Sequence, residues 1–176
     1  MFRILLLLIV FCVGSPLEAT LRGQAILSPA VRADIAALVD EEVASIVLGR
    51  MLQTAKTTYL EGYGVVVTVG VALERPRNPF SGTRAPDEVR RSSEMRRSEL
   101  KEMAVRLIGQ HVSSFDGLSP DEHLTIVIYM LNTNPADLPD LPTQLVVSAR
   151  KQDGADLVSS AISSATFADR VTIREY

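Results

Sequence analysis

Histidine, carboxylate and serine side chains are the groups in this 176-residue chain that could carry out acid–base or nucleophilic chemistry. His111 and His123 are its two histidines and therefore its candidate imidazole bases. The sequence around Ser119, Gly-Leu-Ser-Pro-Asp, comes closest to the nucleophile elbow of a serine hydrolase. It lacks the second glycine and precedes a turn rather than following a strand, so capping of that turn explains Ser119 better. The sequence therefore assigns no catalytic residue.

Imidazole and carboxylate groups near the middle of the chain have the right chemistry for a divalent metal ion. Five such residues fall within a short stretch: His111, Asp116, Asp121, Glu122 and His123. Their spacing matches neither a paired-histidine zinc motif nor a calcium loop, and a helix end, a loop and a strand start explain them as well. We therefore predict no metal site, and no motif in the chain predicts a cofactor.

A small-ligand site is predicted at the start of a valine-rich segment. Tyr59, Glu61 and Tyr63 alternate along it, so a regular strand would carry all three side chains on one face. Two phenols and a carboxylate at the end of an apolar row can hold a small ligand. The competing interpretation is that the two tyrosines cover the core and leave their hydroxyl groups in solvent.

A basic segment lies between Arg75 and Arg106, where nine Lys and Arg residues accompany five Asp and Glu residues. Within it, two arginine pairs occupy offset faces of a predicted helix: Arg90, Arg91, Arg96 and Arg97. One hypothesis is an anion-binding edge that contacts phospholipid headgroups or an acidic partner. The alternative is a solvated helix with internal ion pairs.

The first 19 residues have the pattern of a secretory signal. Arg3 provides the positive start, and Ile4–Val13 is an uninterrupted apolar run of ten residues, shorter than the roughly 20 that span a membrane. Cleavage is predicted after Ala19, with Ala25 as the alternative. Either cut removes the chain's one cysteine, Cys12. The mature protein would then contain no disulfide and no cysteine nucleophile.

Residues 20–176 are predicted to form a single α+β domain. Apolar residues recur with helical or with alternating spacing in successive segments. These periods predict helices at Pro29–Leu52, Asp87–Phe115 and Asp156–Ser164, and strands at Thr57–Glu74, Leu124–Leu131, Gln144–Arg150 and Val171–Glu175. After the first helix, this order matches the ferredoxin-like split β-α-β arrangement. We therefore predict an antiparallel four-stranded sheet with helices on one face and an extra N-terminal helix.

One segment resembles a group of exported bacterial proteins with no known activity. The resemblance lies in Tyr-Leu-Glu-Gly-Tyr-Gly-Val-Val-Val, residues 59–67, and in the later Leu-Pro-Thr-Gln-Leu-Val-Val, residues 141–147. It implies export and a single domain. It implies no activity, cofactor or catalytic residue.

The formal net charge of −3 argues against a nucleic-acid-binding protein, which is normally strongly basic. Together with the predicted signal, the absence of a catalytic motif favours a non-catalytic binding domain of the cell envelope, periplasmic or secreted. Its partner would be a protein or another envelope component, with peripheral contact to an anionic membrane as a possibility. The alternative is a secreted hydrolase whose histidine and carboxylate acid–base groups come from the Glu61 region or from the region between His111 and His123. A structural subunit of an envelope assembly is a third alternative.

Overall fold

A computed structural model describes residues 28–48, 50–74, 85–115, 117–131 and 140–176 of the chain. The predicted signal segment, both of its cleavage sites, Cys12 and Asp116 lie outside the described residues. So do residues 75–84 and 132–139. Among the described residues, no helix is both long enough and apolar enough to cross a membrane.

The first helix, α1, spans Pro29–Val47. The Ser28 hydroxyl accepts a hydrogen bond from the backbone N–H of Val31 at 3.3 Å, which caps a start where proline fits without losing a donor. The sequence predicts that this helix extends to Leu52. The helix ends earlier, because Leu48 adopts a left-handed conformation with φ of 51°.

The predicted single strand at Thr57–Glu74 is wrong: this part of the chain is a hairpin. Strand β1 covers Met51–Leu60 and pairs antiparallel with β2, Gly64–Ala72. Both glycines of the connection have positive φ, 74° at Gly62 and 121° at Gly64. Glycine adopts such angles without the clash that a Cβ would cause. Alternation of residue types continues through the turn, so periodicity alone does not reveal it.

A unit common in α/β proteins follows, in which a long helix connects two parallel strands. Helix α2 spans Pro86–His111 and continues as a 3₁₀ turn at Val112–Ser114. Strand β3, His123–Leu131, then pairs parallel with β2. The two strands approach closely at their start, where a Cβ on Gly64 would overlap the backbone of His123.

The remaining elements complete a five-stranded sheet in the order β1-β2-β3-β4-β5. Strand β4, Gln144–Arg150, and strand β5, Thr172–Glu175, each pair antiparallel with the strand before them. Two short helices, α3 at Lys151–Val158 and α4 at Ser164–Arg170, replace the one predicted at Asp156–Ser164.

The α+β class is confirmed, but four antiparallel strands in the ferredoxin-like order are not. The sheet is mixed, because β2 and β3 run parallel, and it gains β1 from residues assigned to the first helix and the long strand. Consecutive strands lie side by side throughout. The parallel pairing of β2 and β3 requires a long crossover connection, which α2 provides.

The described helices cover one face of the sheet, and the main core lies between them and the strands. The valines at alternate positions of β2, Val65 to Val71, are fully buried there. They pack with Leu100, Leu107 and Ile108 of α2 in one continuous cluster. The opposite face carries the other residues of each strand, among them Thr125 and Tyr129 of β3.

Candidate functional site

A cavity of about 310 Å³ lies on the helical side of the sheet, between α1, the end of α2, and strands β2 and β3. Nine of its eleven lining residues are apolar. The complete lining is Val31, Asp34, Ile35, Leu38, Val39, Val67, Leu107, His111, Phe115, Leu124 and Ile126. Small-molecule sites have this composition, an apolar surface with a few polar groups, and this volume is at the small end of their usual range.

The helical repeat of α1 provides the outer wall of the cavity. Val31, Ile35 and Leu38 recur at spacings of four and three residues, which places them on one side of the helix. They are half-buried, whereas Val39 one position further is only 2% exposed and belongs to the core. The capped start at Ser28 places the first of these residues at the edge of the cavity.

The sheet forms the floor of the cavity and α2 its inner wall. Val67 of β2 lies opposite Ile126 in the parallel register, and Leu124 precedes Ile126 by two positions on the same face. Leu107 and His111 are four residues apart on the last turns of α2, so they lie one above the other. These elements are fixed by the main core, which holds the floor and inner wall in place.

Two polar side chains complete the lining, Asp34 from α1 and His111 from α2. Asp34 is exposed and therefore lies at the rim, while His111 is half-buried. The carboxylate accepts hydrogen bonds, and a neutral imidazole offers one donor and one acceptor. The site therefore combines an apolar interior with polar groups at its rim.

The three residues of the predicted ligand site do not share a face, because the strand that would have aligned them is a hairpin. Tyr59 lies opposite Val65, on the helical side of the sheet. Its hydroxyl donates to Glu122 Oε1 at 2.7 Å, and this hydrogen bond, assisted by burial, raises the pKa of Tyr59 to about 12. Glu122 also accepts from the Ser119 backbone N–H at 2.7 Å. The hydrogen bond from Tyr59 to Glu122 therefore connects β1 to the loop before β3.

Tyr63 contacts the other face of the sheet. Its ring stacks on His123 with centroids 5.3 Å apart, and its hydroxyl lies 2.8 Å from Thr125 Oγ1. Thr125 in turn shares a hydrogen bond with Ser148 Oγ at 2.8 Å. Glu61 is exposed in the turn between the two tyrosines. Ligand binding by Tyr59, Glu61 and Tyr63 stays a prediction. The argument for it assumed that the three side chains share one face of a strand, and they do not.

The four predicted anion-binding arginines occupy different environments. Arg96 Nη1 contacts Glu74 Oε1 at 2.6 Å and the Leu73 carbonyl oxygen at 2.8 Å. Arg97 Nη1 lies 3.7 Å from Glu175 of β5. Arg90 and Arg91 are exposed. Arg96 is therefore engaged in holding α2 on the sheet, and of the four, Arg90 and Arg91 fit the anion-binding hypothesis best. That hypothesis also stays a prediction.

The histidines considered for catalysis or metal binding are separated by the sheet. His111 lines the cavity on the helical side, whereas His123 stacks on Tyr63 at the opposite face. Within the ranges that the structure describes, no group of three or more His, Cys, Asp or Glu side chains is arranged to hold a metal ion. Glu61 is not part of the cavity lining. The acid–base pairing expected of the alternative hydrolase is therefore not assembled among these residues.

The cavity was not predicted from the sequence, although its parts were visible. The apolar spacing of α1 and of the second half of α2 was recognised as two core-facing helices. A signal was available in α1, where Asp34 interrupts the apolar side between Val31 and Ile35. How far two amphipathic helices stand apart on a sheet depends on their side chains together, so spacing within one helix does not reveal a cavity.

Comparisons of the chain with protein-family models, with curated proteins and with solved structures found no match. The similarity of residues 59–67 to exported bacterial proteins, and export itself, stay predictions from the sequence. The geometry of the described residues is what bears on function.

Proposed function

We propose that the protein is an exported, non-catalytic binding domain that holds a small apolar molecule in the cavity between α1, α2 and the sheet. The observation that carries the proposal is the cavity itself, about 310 Å³ in volume with nine apolar residues among its eleven. An engineered protein cavity of roughly 150 Å³ is enough to bind benzene. The volume here suits a ligand of roughly ten non-hydrogen atoms, taking about 30 Å³ for each.

The way the cavity is bounded also supports this proposal. Its floor is built from fully or almost fully buried side chains, so the site exists before a ligand arrives. Its outer wall consists of half-buried residues of α1, Val31, Ile35 and Leu38, that would lose contact with water when the cavity is filled. Removal of that apolar surface from water is the driving force for binding.

Export to the periplasm or the exterior is part of the proposal and rests on the signal pattern of residues 1–19. A secreted hydrolase is the alternative. It would need a nucleophile or an activated water within reach of a base and an orienting acid. His111 and Asp34 both line the cavity, but no serine, threonine or cysteine is among the lining residues. Binding without chemistry is therefore the better-supported function.

The test is to fill the cavity from its outer wall. Leu38→Phe adds a ring at a half-buried lining position, and Ala37→Phe adds the same ring at an exposed position of the same helix. Binding of the neutral fluorescent probe 1-naphthol, a molecule of about the size the cavity can hold, would be measured by titration. We expect the first variant to weaken probe binding about tenfold or more, because it occupies the space, and the second to bind as wild type.

Thermal unfolding of both variants accompanies the titration. Leu38→Phe should melt at or above the wild-type temperature, because the ring fills empty apolar space rather than an already packed one. Equal probe affinity in the two variants, or no saturable binding to the wild type, would refute the proposed site.

A further inference from the structure

The described lining of the cavity includes an acidic side chain. Asp34 is the one acidic residue among the described lining residues, and none of them is a lysine or an arginine. Arg32 is two positions away on α1, a spacing at which side chains of a helix do not face each other. At neutral pH a ligand entering the cavity therefore passes a carboxylate that no lining lysine or arginine neutralises.

The end of α2 does not add to this negative potential. The helix continues as the 3₁₀ turn Val112–Ser114, and the Lys151 ammonium group donates hydrogen bonds to the carbonyl oxygens of Phe115 and Leu118 at 2.6 and 3.0 Å. This positive charge offsets the negative end of the helix. Asp34 is therefore the group on which a charge preference of the cavity rests.

The carboxylate of Asp34 is also unengaged. Other acidic side chains of the fold accept hydrogen bonds, for example Asp40 from the Ala55 backbone and Glu42 from Arg106. Among the described parts of the chain, no hydrogen bond or ion pair engages Asp34. It is therefore free to receive a group from a ligand whose apolar part lies in the cavity.

From these observations we infer that the ligand is an organic monocation, an amine with an apolar tail. This inference rests on the proposed function and specifies the ligand of the same site. A primary ammonium group offers three hydrogen-bond donors, and Asp34 supplies oxygen acceptors of opposite charge. The tail of roughly eight to ten carbons fills the apolar volume. A carboxylate of the same length is disfavoured, because its charge would meet the like charge of Asp34.

Three molecules that differ only in their head group test the inference: 1-aminononane, nonan-1-ol and nonanoate, each displacing 1-naphthol at pH 7 and low salt. The amine should bind most tightly and the carboxylate most weakly, about tenfold apart, since attraction becomes repulsion. Raising the salt concentration should reduce this spread, because Asp34 is exposed to solvent.

Asp34→Asn is the decisive variant. It should lower the affinity for the amine and so remove most of the difference between the amine and the alcohol. Glu41→Gln is the matched control, because Glu41 is an exposed acid of the same helix outside the cavity lining. This control should keep the wild-type ranking.

The outcomes separate the two proposals. If the alcohol and the probe bind but the amine has no advantage, or if Asp34→Asn does not change the ranking, the inferred cation is wrong and the apolar site stands. If neither the probe nor any of the three molecules binds, both the site and its ligand class are refuted.

Discussion

Two of the Glu–Arg pairs that join helix α2 to its neighbours differ mainly in exposure. In the first pair the Glu74 and Arg96 side chains are 6% and 14% exposed, and the charged atoms are 2.6 Å apart. In the second pair the Glu42 and Arg106 side chains are 34% and 48% exposed, and two hydrogen bonds of 3.2 and 2.8 Å connect them. The first pair holds α2 on the end of β2, and the second connects α2 to α1.

This difference in exposure determines how much each pair contributes to stability. A buried carboxylate must be neutralised and hydrogen-bonded, because water no longer solvates it. Glu74 meets that condition with Arg96 and with the hydroxyl groups of Ser92 and Ser93, at 2.7 and 3.1 Å. The exposed pair gains little over solvation by water. The buried pair therefore contributes more to fixing α2 on the sheet than the exposed pair contributes to joining α2 to α1.

The largest effect is expected from breaking the buried pair. Glu74→Ala leaves the guanidinium of Arg96 largely buried without its carboxylate, and we expect the free energy of unfolding to fall by about 3 kcal/mol. Chemical denaturation at pH 7 measures this. Exchanging the exposed Glu102 of the same helix for alanine is the control and should cost much less. A loss below about 1 kcal/mol for Glu74→Ala would mean that burial does not distinguish the two pairs.

An intermediate loss of stability is expected when the hydrogen bond between α1 and strand β1 is removed. Asp40 Oδ1 accepts a hydrogen bond from the backbone N–H of Ala55 at 2.6 Å, and Ala55 is 8% exposed. Asp40→Ala leaves that donor without its partner, and we expect a loss of about 1.5 kcal/mol in the free energy of unfolding. Asp40→Asn keeps a hydrogen-bond acceptor at this position, so its loss in the free energy of unfolding should be smaller. Equal losses in the two variants would show that the hydrogen bond is not what attaches α1.

The smallest effect is expected from the exposed pair. Glu42→Gln should lower the free energy of unfolding by about 0.5 kcal/mol or less at pH 7 and low salt. The Arg106 hydrogen bond lowers the pKa of Glu42 from its ordinary value of 4.5. A lowered folded-state pKa stabilises the protein above pH 4.5, and this contribution is lost as the pH falls through the folded value.

The difference between wild type and Glu42→Gln should therefore disappear in acid and in high salt. Denaturation curves at pH 7 and pH 3, each at low and high salt, measure it. A difference that survives at pH 3 would exclude the ion pair as its source.

Much of the fold could be predicted from periodicity. Strand β4 has the predicted bounds, and β3 begins one residue before its predicted start. Helix α2 was found because apolar residues at helical spacing fill its second half. The hairpin was missed because alternation continues on both sides of Glu61–Tyr63, and only the positive φ angles of Gly62 and Gly64 reverse the chain.

The site was less predictable than the fold, for a related reason. Even spacing along one predicted strand places Tyr59 and Tyr63 together, whereas the turn puts them on opposite faces of the sheet. Local spacing also groups Arg96 with exposed arginines, because its partner, Glu74, is 22 residues away in the sequence. The tyrosine hydrogen bonds and the Arg96–Glu74 pair each join distant parts of the chain, so local spacing predicts none of them.

The amino-acid sequence alone determined the α+β class and the apolar faces of α1 and α2, because both follow from the short-range spacing of apolar and polar residues. Only the tertiary structure decided that β2 and β3 run parallel, that Glu74 neutralises Arg96, and that α1 stands far enough from Leu124 to leave a cavity. Those features depend on how side chains from distant segments fill a shared volume, and local spacing carries no information about that volume.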